Sequence, residues 1–114
     1  MHKLDSTFAA LSDPTRRAML MRLAKGEATV TQLARPFKMS QPAISRHLKV
    51  LEQAGLVSTT IRAQERPRKL EVAPLKVATE WIEKYRQMWE KRYQVLDGLL
   101  EELQTMQTKG DQLE

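Results

Sequence analysis

Residues 40–57 read SQPAISRHLKVLEQAGLV. Ser40 is a good N-cap, and Pro42 is tolerated in a first turn whose amides lack intrahelical partners. Gly55 stands where a helix ends. These signals predict a helix over 41–53. At about 100° per residue, Ile44, Leu48 and Leu51 fall on one face. Arg46 and Lys49 fall on the far side, Gln41 and Ser45 on the flanks, and His47 at the boundary. The outer chemistry suits a duplex. Gln pairs bidentately with an adenine edge, Arg with a guanine edge, and Ser with either kind of pair. Lys49, later on the helix, is better placed for a phosphate. Ser40 joins the set at the helix start, where free amides form an anion site. The competing reading is a solvated polar face on a bundle helix.

Upstream, Leu33, Ala34 and Phe37 form the buried side of a short helix, roughly 31–37, capped by Thr29 or Thr31. Lys38 and Met39 make the turn, so residues 31–53 read as a helix-turn-helix. Asp13 followed by Pro14 opens an earlier helix over 14–25. Met19, Leu20, Leu23 and Ala24 share its apolar face and Gly26 stops it. Before that, Leu4, Phe8 and Leu11 recur at helical spacing, with Asp5 or Ser6 as the cap. Arg16 and Arg17 are further candidates for phosphate contact or for plain solvent exposure.

Downstream of 57 the period falls to two. Val57, Thr59 and Ile61 alternate with polar residues, as do Leu70 and Val72. Two short strands and a charged loop form a hairpin, and a hairpin directly after a helix-turn-helix is a wing, here 57–72. The loop RAQERPRK, 62–69, carries Arg62, Arg66, Arg68 and Lys69 against one acid, Glu65. Beside a groove, these four would contact phosphates or enter the minor groove. An edge hairpin kept soluble by its charges is the alternative.

Pro74 opens a last helix, expected over 75–107 and roughly 50 Å long, followed by a polar tail at 109–114. Ile82, Tyr85, Trp89, Tyr93, Leu96 and Leu100 recur along it, and Trp81 and Met88 widen the stripe. A head of this size cannot cover so long a stripe, whereas a second copy can. Aromatic rings with polar tips suit such an interface, and Leu4, Phe8 and Leu11 are expected to join it. A ligand pocket or an intramolecular core are the other readings. The expected fold is mainly α with a small β-hairpin: a single winged helix-turn-helix domain over 1–108 with a long C-terminal dimerisation helix.

The 114 residues carry a net charge of +5, unevenly spread. Residues 1–76 hold 14 basic against 6 acidic side chains, and 77–114 hold 5 against 8. A basic first part and a mildly acidic tail suggest a polyanion partner and a second kind of contact. Cysteine is absent, which excludes disulfides and thiolate chemistry. No apolar signal core or 18-residue apolar run is present, so no membrane partner and a cytoplasmic location are expected. No nucleophile–base pair or Gly-rich phosphate loop appears. Ser45 and His47, two apart on a helix, point away from each other. No enzyme, cofactor or metal site is expected.

Over roughly residues 7–103 the sequence resembles the ArsR-type winged-helix repressors of bacteria and archaea, chiefly through LSDPTRR at 11–17 and SQPAISRHLKVLEQAGLV. The resemblance implies a homodimer built through the first and last helices, double-stranded operator DNA as partner, and transcriptional regulation, usually repression. It puts Gln41, Ser45, Arg46 and His47 on the DNA-reading helix and the 62–69 wing on flanking DNA. Metal-sensing members often carry Cys-x-Cys in the helix that here reads VTQLARPF, or Asp, His and Glu ligands in the last helix. This chain has no Cys, and its last helix has carboxylates but no His. A small-molecule effector is left unknown. The alternative function is a winged-helix protein-interaction module with weak, non-specific DNA binding.

Overall fold

The computed structural model describes residues 2–62 and 64–113, with side chains from residue 3 to residue 108. The order is α1 (His2–Leu11), α2 (Pro14–Leu23), α3 (Val30–Phe37), α4 (Gln41–Gln53), β1 (Val57–Thr59), β2 (Arg68–Leu70) and α5 (Ala73–Leu113).

Local chemistry sets most of these limits. The Asp13 carboxylate accepts the Arg16 amide at 3.0 Å and Pro14 takes the first position of α2. Thr29, not Thr31, caps α3: its hydroxyl accepts the Gln32 amide at 3.2 Å, while its own amide donates to the Gln32 side chain at 2.9 Å. This reciprocal pair satisfies two otherwise orphaned donors. Lys38, at φ 53°, turns the chain from α3 to α4. The Ser40 hydroxyl accepts the Ala43 amide at the start of α4. At its end the Leu56 amide donates to the Leu51 carbonyl and the Gly55 amide to the Glu52 carbonyl. That closure needs a left-handed residue, and Gly55 supplies it at φ +75°.

β1 and β2 pair antiparallel, with Val57 opposite Leu70, Ser58 opposite Lys69 and Thr59 opposite Arg68. Ala28 adds a single bridge on the other side of Arg68, exchanging both backbone hydrogen bonds with it. The core gathers Met19, Leu33, Ile44, Leu48, Leu51 and Leu56, all fully buried. Leu11, Phe37 and Leu70 are partly buried around it.

Several limits differ from expectation. α1 begins at His2, ahead of either proposed cap, and α2 stops at Leu23. The strands are shorter than the alternation suggested, leaving Ile61 and Val72 exposed. Pro67 has no amide hydrogen to donate, so the ladder cannot continue past the Thr60–Pro67 bond. Residues 109–113, expected in a polar tail, continue α5. No proline follows Pro74, and a single glycine in a helix costs only about 1 kcal/mol. The chain divides into two compact units, residues 1–79 and 80–114. The division falls inside α5, where every side chain from 81 to 108 is exposed.

Replacing Leu48 with Ala opens a cavity beneath α4. We expect a loss of about 2–5 kcal/mol of unfolding free energy, measured by urea denaturation; a change below about 1 kcal/mol would show that the core closes over the gap.

Candidate nucleic-acid interface

Ile44, Leu48 and Leu51 seat α4 on the core. That seating leaves Gln41, Ser45, Arg46 and Lys49 exposed on the helix, with Ser40 exposed at its cap. Gln41 is not free to swing: its side-chain amide donates to the Thr31 hydroxyl of α3 at 3.1 Å. His47 is half-covered, with Nδ1 3.9 Å from an Asp13 carboxylate oxygen. The boundary position expected for His47 is thus filled by an acid from the start of α2, a partner that no local spacing announced.

The Asp13 carboxyl is held below the usual carboxylate range, chiefly by the hydrogen bond from the Arg16 amide. Partial desolvation opposes this, and the charges of His47 and Arg16 add to it.

In the wing, Arg66 and Lys69 are exposed. Arg62 is also exposed, with its guanidinium 3.4 Å from Glu27. Its backbone exchanges hydrogen bonds with Glu65, which narrows the loop. Arg68 departs from the expectation of an outward contact. Only 18% of its side chain is exposed, and its Nε donates to Glu52 of α4 at 2.8 Å. Its Nη1 donates to the Arg66 carbonyl. The cause is strand geometry: Arg68 lies on the same side of β2 as the partly buried Leu70.

Arg16 and Arg17 both reach back to α1, Arg16 partly buried and Arg17 still exposed. Arg16 donates to the Ala9 and Ala10 carbonyls and Arg17 to the Leu11 carbonyl, at 2.8–3.0 Å. They satisfy carbonyls that a helix end leaves unpaired, and their charge suits that end of the dipole.

Of the expected dimer contacts, Leu4, Phe8 and Leu11 of α1 are partly buried in the first unit. In the second unit Trp81, Ile82, Tyr85, Met88, Trp89, Tyr93, Leu96 and Leu100 are 40–57% exposed. Their rings form a ladder: Trp81 stacks on Tyr85 at 5.6 Å, Tyr85 meets Trp89 edge-on at 5.9 Å, and Trp89 lies 5.7 Å from Tyr93. Arg92 stands over Trp89 at 5.8 Å. Among the described residues, no three His, Asp or Glu side chains gather as a metal site, and no helix is long and apolar enough to cross a membrane.

Two short helices at a tight turn, the second seated on the core with a polar and basic outer face, followed by a β-hairpin, define the winged helix-turn-helix class. Residues 13–59 match the family model described as bacterial regulatory protein, arsR family. The transcriptional repressor SdpR of Bacillus subtilis is 35% identical over 79 residues, covering 69% of this chain and 88% of that protein. The chain belongs to the ArsR family of bacterial regulatory proteins, a family of regulators and not of enzymes. It lacks the cysteines typical of metal-binding branches. It is also similar to the HTH-type transcriptional regulator Rv2034 of Mycobacterium tuberculosis, at 53% identity over 53 residues. That match covers 46% of this chain and half of that protein. A solved ArsR-like transcriptional regulator from Rhodococcus superposes with a TM-score of 0.74 at 30% identity, covering 86% of this chain and 92% of that one.

Asp13 yields a pH-dependent prediction. A carboxyl whose folded value is lowered stabilises the fold above its unfolded value, and that contribution is lost as pH falls through the folded value. Asp13→Ala should therefore lower the thermal midpoint at neutral pH. The gap to wild type should shrink below the ordinary value of 3.8. A gap that is unchanged from pH 7 to pH 2 would show that the carboxylate charge contributes nothing to the cap.

Proposed function

We propose that this chain is a sequence-specific, double-stranded-DNA-binding transcriptional regulator that acts as a cytoplasmic repressor, binding an inverted-repeat operator as a homodimer. The observation that carries this reading is α4: Ile44, Leu48 and Leu51 are buried while Gln41, Ser45, Arg46 and Lys49 stand outside together. Gln41, Ser45 and Arg46 are the base readers in this proposal. Ser40, His47 and Lys49 hold phosphates from the helix start and its sides, and Arg62, Arg66 and Lys69 do so from the wing. The name of the Bacillus relative, a transcriptional repressor, supports the direction of regulation.

The homodimer reading rests on α5. A stripe this apolar, on a helix with nothing of its own unit to cover it, suits a second copy, with Leu4, Phe8 and Leu11 of α1 joining the seam. Two reading helices related by a two-fold axis would then meet half-sites about one helical turn apart, roughly 34–36 Å.

Selection of duplexes from a random pool, with the mass of the complex recorded, tests the whole reading. An enriched inverted repeat carrying two chains is expected. Mixed assemblies with another protein and no enriched sequence would favour an interaction module instead. On the selected duplex, Arg46→Ala should cost about 1–3 kcal/mol of discrimination at one base pair. Arg66→Ala should weaken all duplexes alike and make the salt slope shallower by about one; the opposite pattern would exchange reader and clamp.

Trp89→Ala should weaken self-association by about 2 kcal/mol or more, as truncation of a central aromatic anchor does. Sedimentation over a concentration series reads it, and an unaltered monomer–dimer balance would remove Trp89 from the interface.

A further inference from the structure

Glu52 is the single acidic residue of α4, one turn beyond Lys49 on a helix that otherwise offers neutral or basic side chains. A free carboxylate there would repel the phosphates that the neighbouring cations attract. It is not free. Its Oε1 accepts Arg68 Nε of β2 at 2.8 Å and the Thr59 hydroxyl of β1 at 3.2 Å. One oxygen thus ties the last turn of the reading helix to both strands of the wing. Arg68 is held from its other sides too: its amide and carbonyl both pair with Ala28, and its Nη1 reaches the Arg66 carbonyl.

From this geometry we infer that Glu52 is a positioning residue for DNA binding: through Arg68 it fixes where the wing stands beside α4, and Arg68 is a strut, not a DNA contact. The inference rests on the DNA-reading function proposed above. The pair is partly covered, with Arg68 at 18% and Glu52 at 35% side-chain exposure, so water competes less for it than for a surface pair. Arg66 immediately precedes Pro67 and Arg68, and its carbonyl is held by the same guanidinium. The backbone that presents the exposed Arg66 therefore depends on a side chain that, in this reading, touches no phosphate.

The competing mechanism is that Arg68 leaves Glu52 for a phosphate when DNA arrives, and the two differ in sign. A strut predicts that Glu52→Gln and Arg68→Gln both weaken binding and both lower the salt slope by about one, as the loss of the Arg66 contact would. The exchanged pair, Glu52→Arg with Arg68→Glu, should recover most of the affinity. A phosphate contact predicts that Glu52→Gln tightens binding by freeing Arg68, that only Arg68→Gln lowers the slope, and that the exchanged pair fails. That second pattern would overturn the proposal.

Amide hydrogen exchange of the unbound full chain supplies a readout independent of DNA. The Ala28, Thr60 and Arg68 amides, which donate across the wing, should exchange faster in Glu52→Gln while those of Leu48 and Leu51 stay protected. Unchanged wing exchange would also overturn the strut. If the wild-type chain prefers no duplex, the DNA reading fails while the exchange result still judges the strut.

Discussion

Three side chains decide what the rest of the first unit can do. Ile44, Leu48 and Leu51 fill the centre of the core, and burying them fixes α4 in rotation as well as in place. A turn of one residue, about 100°, would drive Ser45, Lys49 and Glu52 towards the core without partners, at the cost of desolvating polar or charged groups. The outer face is therefore a consequence of the inner one. The Ser40 cap and the Gly55 closure fix the two ends of the same helix, so its register along the axis is set as firmly as its rotation.

α4 was readable from the sequence because cap, period and stop agree over residues 40–55. The wing was only half readable. The alternation around Leu70 located β2, and the same rule of two places Arg68 on the side of Leu70, facing inward. Counting it with the loop cations hid that consequence. Its partner Glu52 lies sixteen residues back, across a turn and a strand, where no local spacing can announce a pair. Asp13 facing His47 is unreadable for the same reason. The hydrogen bonds of Arg16 and Arg17 were not legible because the carbonyls they satisfy belong to another helix. The length of α5 was underestimated because its polar end, 109–114, reads as a tail, although an isolated glycine there costs only about 1 kcal/mol.

The second unit poses an energetic problem that its own residues do not solve. From Trp81 to Met106 the large apolar side chains remain 40–68% exposed. Fully burying one such side chain stabilises by roughly 1.5–3 kcal/mol, so half-burying a run of them in an interface amounts to many times the thermal energy. The polar side of the helix is organised separately. Arg86 bridges Glu83 and Glu90 one turn away on either side, which holds its own charge and depresses the Glu83 carboxyl through the Arg86 hydrogen bond. Pairs of that kind support an isolated helix by only a few tenths of a kcal/mol each. The helix is thus built to stand as one, and its apolar side is left for something larger to cover.

The cations of the wing are not equivalent, and their surroundings grade them. Arg68 is covered and shares a carboxylate with Thr59; removing one partner would strand a half-buried charge. Arg62 is 67% exposed, and its pairing with Glu27 is of the surface kind, worth about 0–1 kcal/mol. Little holds Arg62 to Glu27 beyond that exposed contact. Arg66 and Lys69 are exposed on the wing itself. One short hairpin therefore contains a covered ion pair, an exposed ion pair and two exposed cations without an acid beside them. Net charge alone would have weighed all four equally. What separates them is the acid that the fold brings beside two of them, and how much water reaches each pair.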